Sequence, residues 1–204
     1  MQGQPYISTK DESVRMFKSD FMEFFSHVHP ITPFIIYLPL IGYLVIVAVS
    51  QNGLSLIAVA GLFPMGILIW TLFEYVMHRF AFHYEPKTRW GKQLHFLMHG
   101  VHHDYPNDSR RLVMPPVISI PIAAAMYFVF LAISGRFAPA LFAGFLFGYL
   151  CYDCIHYATH HFATQNRFLL WLKQYHLRHH FKDDTVQYGV SSPFWDYIFR
   201  TVKK

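Results

Sequence analysis

Residues Val117–Ile155 read VISIPIAAAMYFVFLAISGRFAPALFAGFLFGYLCYDCI, and only Arg136 and Asp153 in this stretch are charged. The turn-forming sequence SGRFAP divides it into two apolar runs, Val117–Ser134 and Ala138–Ile155. Each run approaches the roughly 20 residues that an α-helix needs to cross about 30 Å of hydrocarbon. The short polar break between them is typical of a tight connection. The stretch therefore predicts two membrane helices that form a hairpin.

The same pattern occurs earlier in the chain, where Pro33–Val49 and Leu54–Tyr75 flank the sequence SQNG. Only 14% of the 204 residues are charged and 53% are hydrophobic, whereas soluble domains carry about 25% charged residues. We therefore predict an all-α integral membrane protein with four transmembrane helices in two hairpins. The alternative is a soluble helical protein with buried hairpins, but little polar sequence remains to cover them.

The basic residues predict the orientation of these hairpins. Of the 17 Lys and Arg residues, only Arg136 lies at a hairpin tip. Positive charge is retained on the cytoplasmic side of membranes, so both termini and the long middle segment are expected there, at the inner membrane if the cell is bacterial. The net charge of +5 suits an anionic lipid surface. No basic stripe with interleaved aromatic residues occurs, so no nucleic-acid partner is predicted.

The whole chain, residues 1–204, is interpreted as a single domain in which a helical cytoplasmic cap carries a histidine-rich metal site. Its predicted parts are a leader (1–32), a membrane hairpin (33–76), a metal segment (77–116), a second hairpin (117–156) and a second metal segment (157–204).

Histidines are concentrated in four groups on the predicted cytoplasmic side. Residues at i, i+3 and i+4 share one face of an α-helix, which suits His99, His102 and His103 and equally the trio that begins at His176. His156 and His160 are one turn apart. His78 and His83, five residues apart, would diverge by about 140° on a regular helix. They converge only if that helix bends or ends between them.

Imidazole is the most common metal ligand in proteins, and ten imidazoles exceed the four that one tetrahedral zinc takes. Two ions with about five nitrogens each would use them all. Adjacent histidines diverge by about 100° on a helix, so neighbours can serve two different ions. The residues predicted as ligands are His78, His83, His99, His102, His103, His156, His160, His176, His179 and His180.

Carboxylates near these groups are few. Glu74 and Asp153 lie one helical turn before His78 and His156, and they could orient those rings through hydrogen bonds. Asp104 directly follows His103. Imidazole also suits zinc, copper, iron and nickel, so spacing names neither the metal nor the reaction. A membrane protein with structural zinc and a histidine-rich metal transporter are alternatives of other classes, and the transporter is disfavoured because the spans lack polar ligands.

Four longer motifs narrow these alternatives. The sequences EYVMHRFAFH, LMHGVHHDYPNDSRRLVMPP, YDCIHYATHH and YHLRHHFKDDTVQYGVSSPFWDYIF extend over Phe73–Thr201. Together they resemble the fatty acid hydroxylase superfamily, which also contains sterol desaturases and carotenoid hydroxylases. They are most similar to its fatty acid 2-hydroxylase branch.

The resemblance implies a monooxygenase that uses O2 to hydroxylate C2 of long-chain fatty acids or of the acyl chain of sphingolipids and ceramides. It implies two metal ions, described in the family as iron, with zinc as the alternative. The family's ligand pattern falls on the same ten histidines. His95 and His161 lie outside it and are interpreted as supporting the ligands. A sterol desaturase or carotenoid hydroxylase type of oxidase is the nearest alternative.

The resemblance also implies partners. Some family members carry an N-terminal haem domain, and the leader here is too short for one, so we expect an external electron donor of the cytochrome, ferredoxin or reductase type. The lipid substrate is expected to enter from the membrane. Its polar head is predicted to meet Tyr105, Arg110, Arg111 and Tyr157. For the two arginines, a plain charge anchor at the interface is an equal alternative.

Overall fold

The computed structural model describes residues 7–203, and all regular secondary structure in that range is helical. Two π-helical segments and one 3-10 turn interrupt the α-helices. The α-helices are α1 (Asp20–Ser26), α2 (Thr32–Ser50), α3 (Leu56–Val76), α4 (Arg89–His95), α5 (Val101–Asp104), α6 (Pro116–Ser134), α7 (Ala138–His161), α8 (Arg167–Phe181) and α9 (Phe194–Ile198). The π-helical segments are Met77–Phe82 and Phe96–Gly100, and the 3-10 turn is Gly135–Phe137.

Within residues 7–203, three helical stretches are long and apolar enough to cross a membrane, namely Thr32–Ser50, Leu56–Phe82 and Pro116–His161. The third has 46 residues, more than twice the roughly 20 that one crossing needs. It consists of α6 and α7 joined at Gly135, whose φ of +52° is a backbone conformation that favours glycine. The four predicted apolar runs lie on α2, α3, α6 and α7.

Helix α7 lies at the centre and packs against α2, α3 and α6. Glycines allow its closest approach to α3: a Cβ atom at Gly66 would lie 2.0 Å from the Leu141 carbonyl oxygen, and one at Gly144 would lie 1.9 Å from the Phe63 carbonyl oxygen. Backbones therefore touch at this crossing, as small residues permit between membrane helices.

The two helical connections lie side by side at one end of the molecule. Gly53 turns the chain between α2 and α3 with a φ of +65°. The Asn52 side-chain amide then donates a hydrogen bond to the Arg136 carbonyl oxygen at 2.8 Å. As a result, α3 and α7 start at the same end and run in the same direction. Their far ends carry the histidines.

The N-terminal leader packs against the loop that follows α5. The Ser8 backbone N–H donates to the Asp104 carbonyl oxygen at 2.8 Å, and the Ser13 hydroxyl donates to Asp108 at 2.6 Å. Farther along, Arg111 donates to the Glu23 carboxylate at 2.6 Å. These bonds attach α1 to the histidine end of the molecule.

Candidate metal centre

All ten histidines predicted as ligands come together at one end of the helices, in two groups of five. Within each group, one ligand nitrogen per residue lies within 4.8 Å of all the others. Group A contains His78, His83, His99, His103 and His179, and group B contains His102, His156, His160, His176 and His180.

A π-helical segment brings together the two histidines whose spacing is wrong for an α-helix. At the end of α3 the His83 N–H donates to the His78 carbonyl oxygen at 3.2 Å, an i to i+5 bond. The Nε2 atoms of the two rings lie 3.3 Å apart. The helix therefore widens between His78 and His83, where the sequence predicts that it bends or ends. π-helical turns of this kind are frequent at functional sites.

Neighbouring histidines divide between the two groups. On α5, His103 points into group A, where its Nε2 lies 2.9 Å from that of His99. The preceding His102 points into group B, 2.8 Å from His156 Nε2. On α8, His179 and His180 divide in the same way. The rings of His103 and His180 stack with centroids 4.3 Å apart, so the groups adjoin.

Backbone carbonyl groups orient two of the group A rings. His78 Nδ1 lies 2.5 Å from the Tyr188 carbonyl oxygen, and His179 Nδ1 lies 2.7 Å from that of Val186. Because a carbonyl only accepts, the proton of each ring is on Nδ1 and the Nε2 lone pair is free. This arrangement is the usual support for metal-ligating histidines.

Glu74 contacts the loop beside His78 and not the His78 ring. Its carboxylate accepts hydrogen bonds from the Val190 N–H at 2.7 Å, the Ser191 N–H at 2.9 Å and the Ser191 hydroxyl. No hydrogen bond joins Glu74 to His78 in the described part of the chain. The carboxylate instead fixes the loop that presents the Tyr188 carbonyl to that ring.

Burial keeps the histidine rings outside the membrane-spanning stretches neutral at pH 7. Desolvation, and then neighbouring imidazoles, lower the pKa of His83 to about 3 and that of His103 to about 2. Burial also lowers the pKa of the other ligand candidates outside the membrane-spanning stretches. These are His99, His102, His176, His179 and His180. At pH 7 their lone pairs are therefore available to bind a cation.

The donor set fits metal ions. Ligands about 2.1 Å from a common ion and at right angles are about 3.0 Å apart. The Nε2 of His78 lies 3.1 Å from that of His99, and the Nε2 of His179 lies 3.0 Å from that of His83. Because His78 and His179 carry their protons on Nδ1, their Nε2 atoms can only accept. These two lone pairs face the ring nitrogens of the other group A histidines, where a cation could bind them.

An apolar cavity of about 530 Å³ reaches both groups of histidines. Its walls come from α1, α3, α6 and α7, and His78 and His156 lie in its lining. Away from the histidines, the Tyr37 hydroxyl donates to the Ser119 hydroxyl in its wall at 2.8 Å. The cavity has the volume and the apolar lining that a lipid chain requires.

The residues predicted to meet a polar head are placed differently. Arg111 lines the cavity, but its buried guanidinium binds Glu23 and the Val14 carbonyl oxygen, the latter at 2.7 Å. Arg110 is exposed, and Tyr105, Arg110 and Tyr157 are not among the cavity-lining residues.

The remaining predicted supporting residues lie around the groups. Asp153 is buried in the cavity wall. Asp104 is half-buried, and burial raises the pKa of its carboxyl. The Nε2 atom of His95 is buried with no hydrogen-bond partner among residues 7–203. The ring of His161 stacks on Tyr157 with centroids 4.3 Å apart.

Sequence reasoning missed two contributors to the site. Phe21 and Phe25 of the leader line the cavity, although nothing in their spacing indicated it. The loop that carries the Tyr188 carbonyl is held by Asp196, which accepts from the Tyr188 N–H at 2.9 Å. Gly189 is required in this loop because a Cβ atom would lie 2.2 Å from the Ser192 carbonyl oxygen. The motif VQYGVSSPFWD marks this loop.

Comparisons with known proteins agree with this geometry. The family model for fatty acid hydroxylase matches residues 63–201. Dihydroceramide fatty acyl 2-hydroxylase FAH1 of Arabidopsis thaliana is 41% identical over 96% of this chain and 82% of its own length. Fatty acid 2-hydroxylase of Rattus norvegicus is 38% identical over 93% of this chain and 56% of its own length.

A solved structure of full-length scs7p, in which only the hydroxylase domain is visible, superimposes with a TM-score of 0.85. It is 38% identical, and the match covers 91% of this chain and 70% of that one. These matches confirm the resemblance predicted from the histidine motifs. The chain belongs to the fatty acid hydroxylase family.

Proposed function

We propose that the chain hydroxylates C2 of a long acyl chain, carried by a fatty acid or by a ceramide-type sphingolipid. The observation that carries the proposal is the opening of one apolar cavity onto two adjoining groups of five histidines. The relatives named as dihydroceramide fatty acyl and fatty acid 2-hydroxylases support the choice of substrate and position.

The proposed ligands are the five histidines of group A for one metal ion and the five of group B for a second. Iron is the proposed metal and zinc the alternative, since imidazole suits both. When bound, the metal ions supply the activation of O2 that side-chain acids and bases cannot provide. Overall, O2, two electrons, two protons and a C–H bond yield a C–OH bond and water.

The contribution of the protein is placement of the substrate. Tyr37, Trp70 and Phe145 line the cavity away from the histidines, and Phe21 and Phe25 line it from α1. A chain held between them with C2 beside the histidines would be hydroxylated at that carbon, because the position along the cavity selects the reacting atom. Apolar walls also exclude water from the reacting carbon.

Arg111 has a positioning role in this proposal. Its guanidinium donates to the Ser26 hydroxyl at 2.9 Å and to Glu23, both on α1. It therefore fixes α1 against the cavity. Contacts of Tyr105, Arg110 and Tyr157 with the polar head of the substrate stay a prediction. The same holds for support of the ligands by Glu74, Asp104, Asp153, His95 and His161.

We also propose four membrane crossings with the histidines on the cytoplasmic side, and an external electron donor that reaches them from there. The stretch Pro116–His161 would cross twice, because its two helices pack against each other through Phe130 and Phe142. Cysteines placed singly at Asn52 and Thr185 in a cysteine-free chain should react with a membrane-impermeant thiol reagent from opposite sides. Labelling from one side would contradict this topology.

The function is tested by mass spectrometry of lipids from cells that express the chain with a suitable electron donor. We expect 2-hydroxylated acyl chains from the wild type and none from His179→Ala. His29→Ala is the matched control because His29 lies outside both groups. Equal lipid profiles for wild type and His179→Ala would exclude the proposal, and a product changed in a sterol or carotenoid ring would favour the alternative oxidases.

A further inference from the structure

Three exposed cations lie within six residues of one another at the start of α4, outside the metal centre. Lys87, Arg89 and Lys92 are exposed, and none forms an ion pair or a side-chain hydrogen bond with any residue in the range 7–203. Like charges within six residues of one another repel, and an anion bound among them would relieve that repulsion.

These cations line one shallow groove together with Gln93 and Phe96. Arg89, Lys92, Gln93 and Phe96 have the i, i+3, i+4, i+7 spacing of one helix face. The groove therefore offers several N–H donors above an apolar floor.

The turn that presents the groove is tightly packed. The Gly91 N–H donates to the Thr88 hydroxyl at 3.1 Å. A Cβ atom at Gly91 would lie 2.6 Å from the Pro86 Cβ atom, so a larger residue would force the turn open. The close packing of this turn therefore holds Lys87 next to the first turn of α4.

The groove is close in sequence to the end of a long apolar helical stretch. The membrane-spanning stretch Leu56–Phe82 ends five residues before Lys87, a distance of at most about 17 Å for extended chain. Exposed aromatic residues surround it: Phe80 and Tyr84 precede it, and Trp90 of α4 is 73% exposed. Tryptophan and tyrosine concentrate at membrane interfaces, which is where these residues belong energetically.

We propose that this groove binds the headgroup of an anionic phospholipid. The phosphate would accept hydrogen bonds from Lys87, Arg89 and Lys92, as basic residues next to a transmembrane helix do with anionic lipids. The acyl chains would lie along the exposed Trp90 and Phe80. An acidic soluble protein fits less well, because its docking would leave these apolar side chains in water.

The site bears on the rest of the molecule through α4. Leu94 and Leu97 line the large cavity, while Arg89 and Lys92 form the groove. The same helix then continues into the π-helical segment that carries His99. A phospholipid bound in the groove would hold α4 between the bilayer surface and the cavity. The proposal concerns lipid binding and stands apart from hydroxylase activity.

Native mass spectrometry of the metal-loaded protein in detergent tests the proposal, with phosphatidylglycerol and phosphatidylcholine as probes. We expect the wild type to retain phosphatidylglycerol preferentially. The triple variant Lys87→Gln, Arg89→Gln, Lys92→Gln should bind it about 100-fold more weakly. The matched triple Lys10→Gln, Lys18→Gln, Lys182→Gln removes equal charge from exposed positions elsewhere and should retain the preference. If both triple variants lost the preference for phosphatidylglycerol, or if neither did, the proposed site would be excluded.

A second measurement uses the wild-type fold, so it holds even if the triple variant fails to fold. Brominated phosphatidylglycerol should quench tryptophan fluorescence more than brominated phosphatidylcholine does, and Trp90→Phe should abolish the difference. Equal quenching by the two lipids contradicts the proposal. Displacement of the lipid by millimolar inorganic phosphate would instead identify a free-phosphate site, and displacement by an acidic redox protein would identify a protein-docking surface.

Discussion

The two groups of histidines differ in how the protein holds them. Group A draws His78 and His99 from π-helical segments, and backbone carbonyl groups orient His78 and His179. Group B draws its rings from α5, α7 and α8, and its Nδ1 atoms are largely unpaired. Those of His156, His160, His176 and His180 have no hydrogen-bond partner among residues 7–203.

This difference indicates two ways to hold a cluster of imidazoles in place before a metal binds. Group B depends on regular helix spacing and on the packing of α7 against α8, so sequence spacing alone describes it well. Group A depends on a widened helix and on a loop that is itself fixed by Glu74 and Asp196. We therefore expect group A to respond to changes in residues that never touch a metal.

Removal of one ligand from each group should have the largest effect. His78→Ala and His176→Ala should each lower 2-hydroxylation by about 100-fold or more, since even residues behind the ligands contribute 10- to 100-fold. Metal analysis should show loss from the altered group first. If only one of the two variants lost both ions, the group altered in that variant would be the one that organises the other.

Disturbing the support of group A should have an intermediate effect. Glu74→Ala removes the acceptor for the Val190 and Ser191 N–H groups, so the Tyr188 carbonyl should no longer hold His78. We expect metal affinity to fall about 10- to 100-fold for one of the two ions, measured by chelator competition. Glu85→Ala, which removes an exposed carboxylate, is the control. Equal weakening of both ions would mean that the groups are not independent.

Mild acid should have the smallest effect on hydroxylation, and its main effect should be a gradual loss of stability in the metal-free protein. The pKa of His83 is about 3 and that of His103 about 2 when folded, against an ordinary value of 6.5. The unfolded chain therefore binds protons first as the pH falls below about 6.5. The melting temperature in detergent should drop steadily between pH 6.5 and about 3. His103→Gln should reduce the slope, and a pH-independent melting temperature would contradict the neutral rings.

Much of this arrangement is readable from the sequence. Apolar runs near 20 residues predict α2, α3, α6 and α7. The spacings around His102 and His179 predict neighbours that belong to different groups. The sequence predicts only that the helix is irregular between His78 and His83. The spacing of five residues does not distinguish a π-helical turn from the end of the helix. The place of α1 in the cavity wall depends on bonds such as Ser13 to Asp108, 95 residues apart. No local pattern encodes such distant contacts.

The glycine crossing of α3 and α7 has a consequence for the spacing of the two groups of histidines. His78 lies twelve residues after Gly66, and His156 lies twelve residues after Gly144. At about 1.5 Å per residue, both histidines are roughly 18 Å beyond the crossing. The backbone contact therefore fixes the position of α3 relative to α7 along their axes, and so the relative height of His78 and His156. A slip of one helix turn would move His78 and His156, and with them the two groups of histidines, about 5.4 Å apart along the helix axes.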